Sequence, residues 1–80
     1  MATILRLPEV QAKTGKGRSA TYADIDRGVM VKPIKLGERA VGFPDYEVDA
    51  IIKARIAGAS EMELRTLVDK LHAQRKEGLQ

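Results

Sequence analysis

The sequence predicts a small α+β domain, and three features of the chain support that class. A segment with helix signals is followed, after a glycine-containing turn, by a second helical segment that ends at Gly28. Residues 29–43 are β-rich around a turn glycine, which predicts a hairpin. Two further amphipathic segments, 44–58 and 60–76, complete the chain. The predicted order is therefore helix, turn, helix, hairpin, helix, helix.

The first two helices are predicted from their end signals. Pro8 suits a first helical turn, where a missing N–H has no intrahelical partner, and the helix ends near Gly15. Residues 3–7 precede it as a short strand or an extended segment. The second helix ends at Gly28, a residue type that favours a left-handed cap. The side chains that we expect to face inward are Leu7, Val10, Ala12, Ala20, Thr21 and Ile25.

Polar side chains share one face of the second helix. Arg18 and Tyr22 are four residues apart and lie in one row, with Ser19 in the row beside them. A face of Arg, Ser and Tyr opposite a small apolar seam suits a helix that lies in the major groove of DNA. A solvated face of any small domain has the same pattern, so the residues of this helix alone leave both interpretations open.

The hairpin is predicted from residues 29–36 and 40–43, with its tip at residues 37–39. Pro33 within the first strand indicates an edge of the sheet, because proline cannot donate to a neighbouring strand. Two strands are not stable alone and must pack on helices. After a helix-turn-helix, such a hairpin is typical of a wing; the alternative is a plain connecting ribbon.

Pro44 opens the third helix, and Asp45, Glu47 and Asp49 in its first turns are interpreted as a complement to the helix dipole. Its ending is predicted at Gly58. An apolar stripe along this helix predicts the main wall of the core. The stripe comprises Val48, Ile51, Ile52 and Ile56.

A fourth helix is predicted after Ser60, which forms a capping box with Glu63. It runs to about Lys76, and residues 77–80 are expected to fray. Its apolar stripe, Leu64, Leu67, Val68 and Leu71, is expected to dock on the rest of the domain, although contact with another copy is the alternative. The outward side chains expected to stay free for DNA or a partner are Arg65, Lys70 and Arg75.

Composition restricts the possible functions. Eighty residues leave little room for a deep catalytic pocket beside a core. The chain has no cysteine, and His72, its single histidine, is expected to be solvated or to cap its helix. We therefore expect no enzyme, no metal site and no cofactor. Without a membrane-spanning or signal-like segment, the expected location is the cytoplasm.

Charge is distributed unevenly along the chain, whose net charge is +3. Residues 1–40 carry eight basic and four acidic side chains, whereas residues 41–80 carry six and seven. The basic half is the half with the helix-turn-helix candidate. A polyanion such as DNA would respond to this asymmetry, because Lys and Arg contacts to phosphate supply most non-specific affinity.

Several motifs in one order carry a family resemblance over about residues 4–57. They are Arg6-Leu7-Pro8-Glu9-Val10, Thr14-Gly15, Arg18-Ser19, Tyr22, Lys32-Pro33-Ile34-Lys35-Leu36-Gly37, Arg39-Ala40-Val41-Gly42 and Glu47-Val48-Asp49-Ala50. This ordered set resembles the AlpA family of phage and prophage regulators. The chain departs from that family at Gly17, Ala23 and Phe43, where members usually carry a polar residue, a basic residue and often tryptophan.

The resemblance implies a winged helix-turn-helix fold similar to phage excisionases and to the DNA-binding half of MerR-type regulators. It implies transcriptional activation of an integrase gene, or assistance of excision as a recombination directionality factor. The expected DNA-binding domain is residues 1–58. Residues 59–80 form a C-terminal helix that packs on it or contacts a partner.

Together, residues and resemblance predict a protein that binds duplex DNA without a cofactor. Arg18, Ser19 and Tyr22 are expected in the major groove, and Arg39 in the minor groove or on a phosphate. Lys16 and Lys35 are expected to hold the DNA backbone. Expected partners are integrase, RNA polymerase or further copies of the chain. The alternative is a protein-interaction module, an antirepressor or an inhibitor of a regulator, that acts through its C-terminal helix.

Overall fold

The computed structural model describes residues 3–77 of the chain. Within this range it contains four helices and three strands, which confirms the predicted α+β class. Of residues 77–80, which are expected to fray, Glu77 is still helical, and residues 78–80 lie outside the described part. The elements in chain order are β1 (Ile4–Leu5), α1 (Leu7–Thr14), α2 (Arg18–Arg27), β2 (Ile34–Lys35), β3 (Val41–Pro44), α3 (Asp45–Ile56) and α4 (Glu61–Glu77).

Glycines set the ends of α1 and α2. Gly15 caps α1 with φ 75° and Gly28 caps α2 with φ 80°, a left-handed conformation that favours glycine. Val10 and Thr21 are buried as expected. The expectation was wrong for Ala12 and Ala20, which are exposed. On α2 the polar side chain of Asp24 takes the inward position instead, where three basic side chains compensate its charge.

The strands form one antiparallel sheet in the order β1–β3–β2. Ile4 pairs with Pro44, and Ile34 pairs with Gly42. A Cβ at Gly42 would collide with the side chain of Ile4, so the close approach of β1 requires glycine there. β2 is an edge strand, and a hydrogen bond of 2.8 Å from Leu36 N–H to Ala40 O closes the hairpin tip.

The first hairpin strand is much shorter than predicted. Only residues 34–35 are paired, and Pro33 precedes the strand instead of lying within it. Further upstream, before the exposed Lys32, the residues Val29, Met30 and Val31 are all buried in an irregular connection. An alternating strand with one solvent-facing side buries every second residue, so three consecutive buried side chains are incompatible with the predicted strand.

The inward face of α3 differs from the predicted stripe. Val48 and Ile51 are buried as expected, but Ile56 is 81% exposed. The third inward residue is Glu47, which is fully buried and does not serve merely as a dipole complement. Because each helical residue turns about 100°, Ile56 is rotated by about 140° from Ile51 and leaves the face that Glu47 shares.

The amphipathic helix α4 docks on the domain through its apolar stripe. Leu64, Val68 and Leu71 are buried, and Leu67 is half-buried. The predicted capping box is confirmed, since Ser60 N–H donates to Glu63 Oε1 at 2.9 Å and Glu63 N–H donates to Ser60 Oγ at 3.1 Å. Within the described residues, no helix is long and apolar enough to cross a lipid bilayer.

Two basic side chains of α4 are not free, contrary to expectation. Arg75 points inward and pairs with the buried carboxylate of Glu47. Arg65 Nε donates to the carbonyl oxygen of Arg27 at 3.0 Å. Both contacts tie α4 to earlier parts of the chain, because the buried carboxylate of Glu47 and the carbonyl oxygen at the end of α2 each need a donor.

Candidate DNA-binding surface

The polar face of α2 points to solvent. Arg18 and Ser19 are exposed and Tyr22 is half-buried, whereas Thr21 and Asp24 on the opposite side are buried. The guanidinium carbon of Arg18 lies 5.8 Å from the centroid of the Tyr22 ring, at the outer range of a cation–π contact. The ring therefore limits where the Arg18 side chain can extend.

A shallow depression of about 420 Å³ lies between α2, the start of α1 and the β2–β3 hairpin. We call it the arginine depression. Three arginines and one tyrosine line it together with apolar residues, and no acidic residue of the described part of the chain belongs to its lining. The lining residues are Arg6, Leu7, Pro8, Arg18, Tyr22, Arg39 and Val41. The structure thus brings Arg18, Tyr22 and Arg39 of the predicted set together, while Ser19 is not among the lining residues.

Sequence reasoning did not assign a role to Arg6. Its backbone N–H donates to Glu9 Oε1 at 3.0 Å, and Arg6 immediately follows β1. The pairing of β1 with β3 carries Arg6 to the same region as Val41 and the hairpin. Only that pairing would have identified Arg6, since periodicity in the sequence does not predict which strands are neighbours.

The two lysines that are predicted to contact the DNA backbone lie in different surroundings. Lys35 is exposed on the edge strand β2, in register with Val41 of the arginine depression. The ammonium of Lys16 lies 2.6 Å from Asp24 Oδ2, outside the depression. A lysine ammonium has three donors, so this ion pair leaves donors of Lys16 for a phosphate.

Asp24 is the centre of an ion network behind α2. Its side chain is only 6% exposed, and it accepts hydrogen bonds from Lys16, from Arg27 at 3.5 Å and from Arg55 at 3.3 Å. Arg27 also pairs with Glu61, and the hydrogen bond and charge of Arg27 lower the pKa of Glu61. The network joins α2 to α3 and to the start of α4.

The sequence suggested that His72 is a solvated residue or a helix cap. The structure shows instead a half-buried hydrogen-bond acceptor. Its Nε2 accepts the backbone N–H of Lys32 at 3.1 Å, forty residues away in the chain. Burial, followed by the nearby charge of Arg75, lowers the pKa of His72 from its usual 6.5. Burial and the positive charge of Arg75 both favour the neutral ring, which is the form that can accept this bond.

A comparison with known families identifies the family of this chain. A family model described as "Prophage CP4-57 regulatory protein (AlpA)" matches residues 3–56, which is more than half of the chain. The chain belongs to the AlpA family. AlpA proteins are phage regulatory, DNA-binding proteins and not enzymes, which supports a DNA-binding regulator in general. No curated protein and no solved structure gives a significant match.

The AlpA match covers the whole of the candidate surface. It extends from β1 to the end of α3 and includes every residue of the arginine depression. It also includes all six sequence-predicted contact residues, Lys16, Arg18, Ser19, Tyr22, Lys35 and Arg39. α4 lies beyond the match, so its contacts with the domain are features of this chain and not of the AlpA match.

Proposed function

We propose that this AlpA protein regulates a phage or prophage by binding duplex DNA sequence-specifically, with α2 in the major groove and the β2–β3 hairpin as a wing. One observation carries the proposal: Arg18, Tyr22 and Arg39, from the helix and the hairpin, line one depression with Arg6 and without a carboxylate. Such a surface attracts a polyanion at the place where two DNA-contacting elements meet.

The polar face of α2 supplies the base contacts in this proposal. Arg18 in the first turn of the helix suits a bidentate contact to guanine O6 and N7. Ser19 and Tyr22 lie on the same side and add hydrogen bonds to bases or to phosphate. The cation–π contact between Tyr22 and Arg18 reduces the freedom that the arginine loses when it binds.

The hairpin and the short segments that precede α1 and α2 supply the contacts to the DNA backbone. Arg39 at the hairpin tip is exposed and enters the minor groove or grips a phosphate. Lys35 and Lys16 hold the DNA backbone on either side of α2. Arg6 extends the set, because a phosphate seated in the arginine depression would face the guanidinium groups of Arg6, Arg18 and Arg39 together.

The regulatory output follows from where the protein binds. Control of transcription, for example of an integrase gene, fits the family's description as regulatory proteins. Assistance of excision as a recombination directionality factor would use the same DNA contacts. One copy offers few base contacts, so useful specificity needs several copies side by side or a second protein such as integrase or RNA polymerase.

The alternative role, a protein-interaction module acting through α4, is not favoured by the packing of that helix. Leu64, Val68 and Leu71 are buried in the domain's own interior. A partner would therefore have only the outer, polar face of α4 to contact.

The proposal is tested by footprinting the full chain on the DNA that flanks its own gene. We expect protection of a discrete site, with major-groove interference at guanines that face α2. The same fragment in a reporter and in an excision assay separates transcriptional control from excision. Absence of any protected site, together with no gel shift on any duplex at low salt, would overturn the proposal.

A further inference from the structure

Helix α4 contacts both backbone polar groups, the N–H and the carbonyl oxygen, of one residue at the base of the hairpin. Lys32 lies two residues before β2, in the connection from α2 to the hairpin. Its N–H donates to His72 Nε2 at 3.1 Å, and its carbonyl oxygen accepts from Arg75 Nη2 at 2.7 Å. His72 and Arg75 are three residues apart and lie on one face of α4. We call this pair of contacts the Lys32 clamp.

Arg75 is itself held by a buried partner. Its Nε lies 2.9 Å from Glu47 Oε2, and its Nη2 lies 2.5 Å from Glu47 Oε1. Glu47 is fully buried in the first turn of α3, and the Arg75 side chain is 23% exposed. A bidentate pair between a guanidinium and a carboxylate has a fixed planar geometry. The orientation of Arg75, and hence its contact with Lys32, is therefore set by α3.

We propose that His72 and Arg75 are positioning residues for the wing, and that protonation of His72 opens the Lys32 clamp and weakens DNA binding. The inference rests on the proposed function of the hairpin. It makes α4 a part of the DNA-binding machinery without a direct DNA contact, although α4 lies outside the AlpA match. The clamp fixes the start of a hairpin whose own ladder is only two residues long on β2.

Protonation of His72 can only open the Lys32 clamp. Neutral His72 accepts the Lys32 N–H, whereas the imidazolium has a proton on both nitrogens and offers no acceptor. The charged groups that face the ring are Arg75 and Asp69 from α4, Glu47 from α3, and Lys32 from the connection. Burial and Arg75 hold the folded-state pKa of His72 below 6.5. The clamp is thus formed at neutral pH, where His72 is uncharged, and is lost as pH falls through that lowered pKa.

The expected effect on DNA binding opposes the general effect of acid. Acidification adds positive charge to a protein, which by itself strengthens binding to DNA. Opening of the clamp weakens binding, because the wing is no longer held in the contacting position. Loss of one hydrogen bond that positions a contact corresponds to a change in Kd of about three- to tenfold.

The test measures Kd for a short random-sequence duplex at low salt, and the protection factor of the Lys32 amide by NMR, at about pH 7.5 and at the acidic pH at which the ring resonances show that His72 is protonated. The full-length chain is compared with His72→Gln, whose amide oxygen can accept the same N–H but does not titrate. Arg75→Lys keeps the charge opposite Glu47 and loses the fork that reaches the Lys32 carbonyl oxygen. A thermal melt of each variant at both pH values verifies that it is folded.

In the wild-type chain we expect weaker DNA binding and a lower Lys32 protection factor at the acidic pH. His72→Gln should show neither change, and Arg75→Lys should bind DNA more weakly at both pH values. The inference is overturned if wild type and His72→Gln share one pH profile, or if the Lys32 protection factor of wild type does not respond to acid. Failure of the proposed function is a different result: wild type would bind no duplex at neutral pH, while the Lys32 amide would still report whether the clamp opens.

Discussion

The ammonium of Lys16 lies 2.6 Å from the carboxylate of Asp24, so the turn before α2 is joined to the buried side of the same helix. Arg55 of α3 reaches the same carboxylate at 3.3 Å. Asp24 lies about 160° around the helix from Tyr22, because each residue turns about 100°. The ion network therefore fixes α2 from behind while its polar face stays free for DNA.

Replacing Asp24 with Asn should destabilise the fold. The change leaves Lys16, Arg27 and Arg55 without the carboxylate that they share. Breaking a fully buried pair costs about 3–5 kcal/mol, but these cations are partly exposed, so we expect about 1–3 kcal/mol. Chemical denaturation measures this loss in the free energy of unfolding.

Asp26→Asn is the matched control, since Asp26 is exposed on the same helix and the chemical change is identical. Equal losses of unfolding free energy for the two variants would contradict a role for the network.

DNA binding should depend strongly on salt. Basic residues from α2, from the hairpin and from the position before α1 line one depression, and residues 1–40 carry four more basic than acidic side chains. If about four to six phosphates are neutralised, log K against log salt should have a slope of about −4 to −5. Gel-shift titrations over a range of salt concentrations measure the slope. A slope near zero would mean that these cations do not contact phosphate.

Arg18→Ala and Lys35→Ala should weaken DNA binding in different ways. Arg18 begins the helix that we place in the major groove, so its loss should reduce discrimination between specific and random duplexes by about 1–3 kcal/mol. Lys35 is exposed on the edge strand, and its loss should weaken all duplexes about equally. Competition assays with a footprinted site and a random duplex distinguish the two. Equal losses on both duplexes for Arg18→Ala would assign that residue to phosphate.

Arg39→Ala should weaken DNA binding without changing the melting temperature, because Arg39 is exposed at the hairpin tip. Arg6→Ala should behave similarly. If both guanidinium groups contact one phosphate in the arginine depression, their effects should be non-additive in a double-mutant cycle, with a coupling of about 0.5–3 kcal/mol. Lys53→Ala removes an exposed cation from α3 and controls for net charge. A large drop in melting temperature for Arg39→Ala would show that the residue is structural.

The sequence predicted elements well where local chemistry decides them. The glycine caps at Gly15 and Gly28 and the capping box of Ser60 and Glu63 involve neighbours in the chain. Their partners are visible in the sequence at fixed spacings. The boundaries of α2 and the existence of an apolar stripe on α4 follow from the same short-range rules, whereas the surface that covers the stripe does not.

Long-range pairing of polar side chains was not predictable in this way. Glu47 and Arg75 have hydrophilic side chains and lie 28 residues apart, so each was expected on the surface. They are inward because each neutralises the other, which only the packing of α3 against α4 reveals. Ile56 is the converse case: an apolar residue of the predicted stripe is exposed because it lies about 140° around α3 from the buried Ile51. The neighbour relation of β1 and β3, which brings Arg6 to the candidate surface, is long-range as well.

A last prediction concerns truncation of the chain after Gly58, which removes α4. The deletion takes Leu64, Val68 and Leu71 out of the core and leaves Glu47 buried without its guanidinium. Each buried Leu or Val contributes about 1.5–3 kcal/mol, and an unpaired buried charge costs about 3–5 kcal/mol. The total is comparable with the whole stability of a small domain, about 5–15 kcal/mol.

We therefore expect the truncated chain to lose its cooperative thermal transition, although residues 3–56 contain the entire AlpA match. Two single substitutions make the result specific to the docked face. Leu64→Ala should lower the melting temperature markedly because Leu64 is buried, whereas Met62→Ala should leave it almost unchanged because Met62 is 76% exposed. A truncated chain that melts as cooperatively as the full chain, at nearly the same temperature, would show that α4 is dispensable for folding. It would also assign the residues of α4 to contacts with a partner or with further copies on DNA.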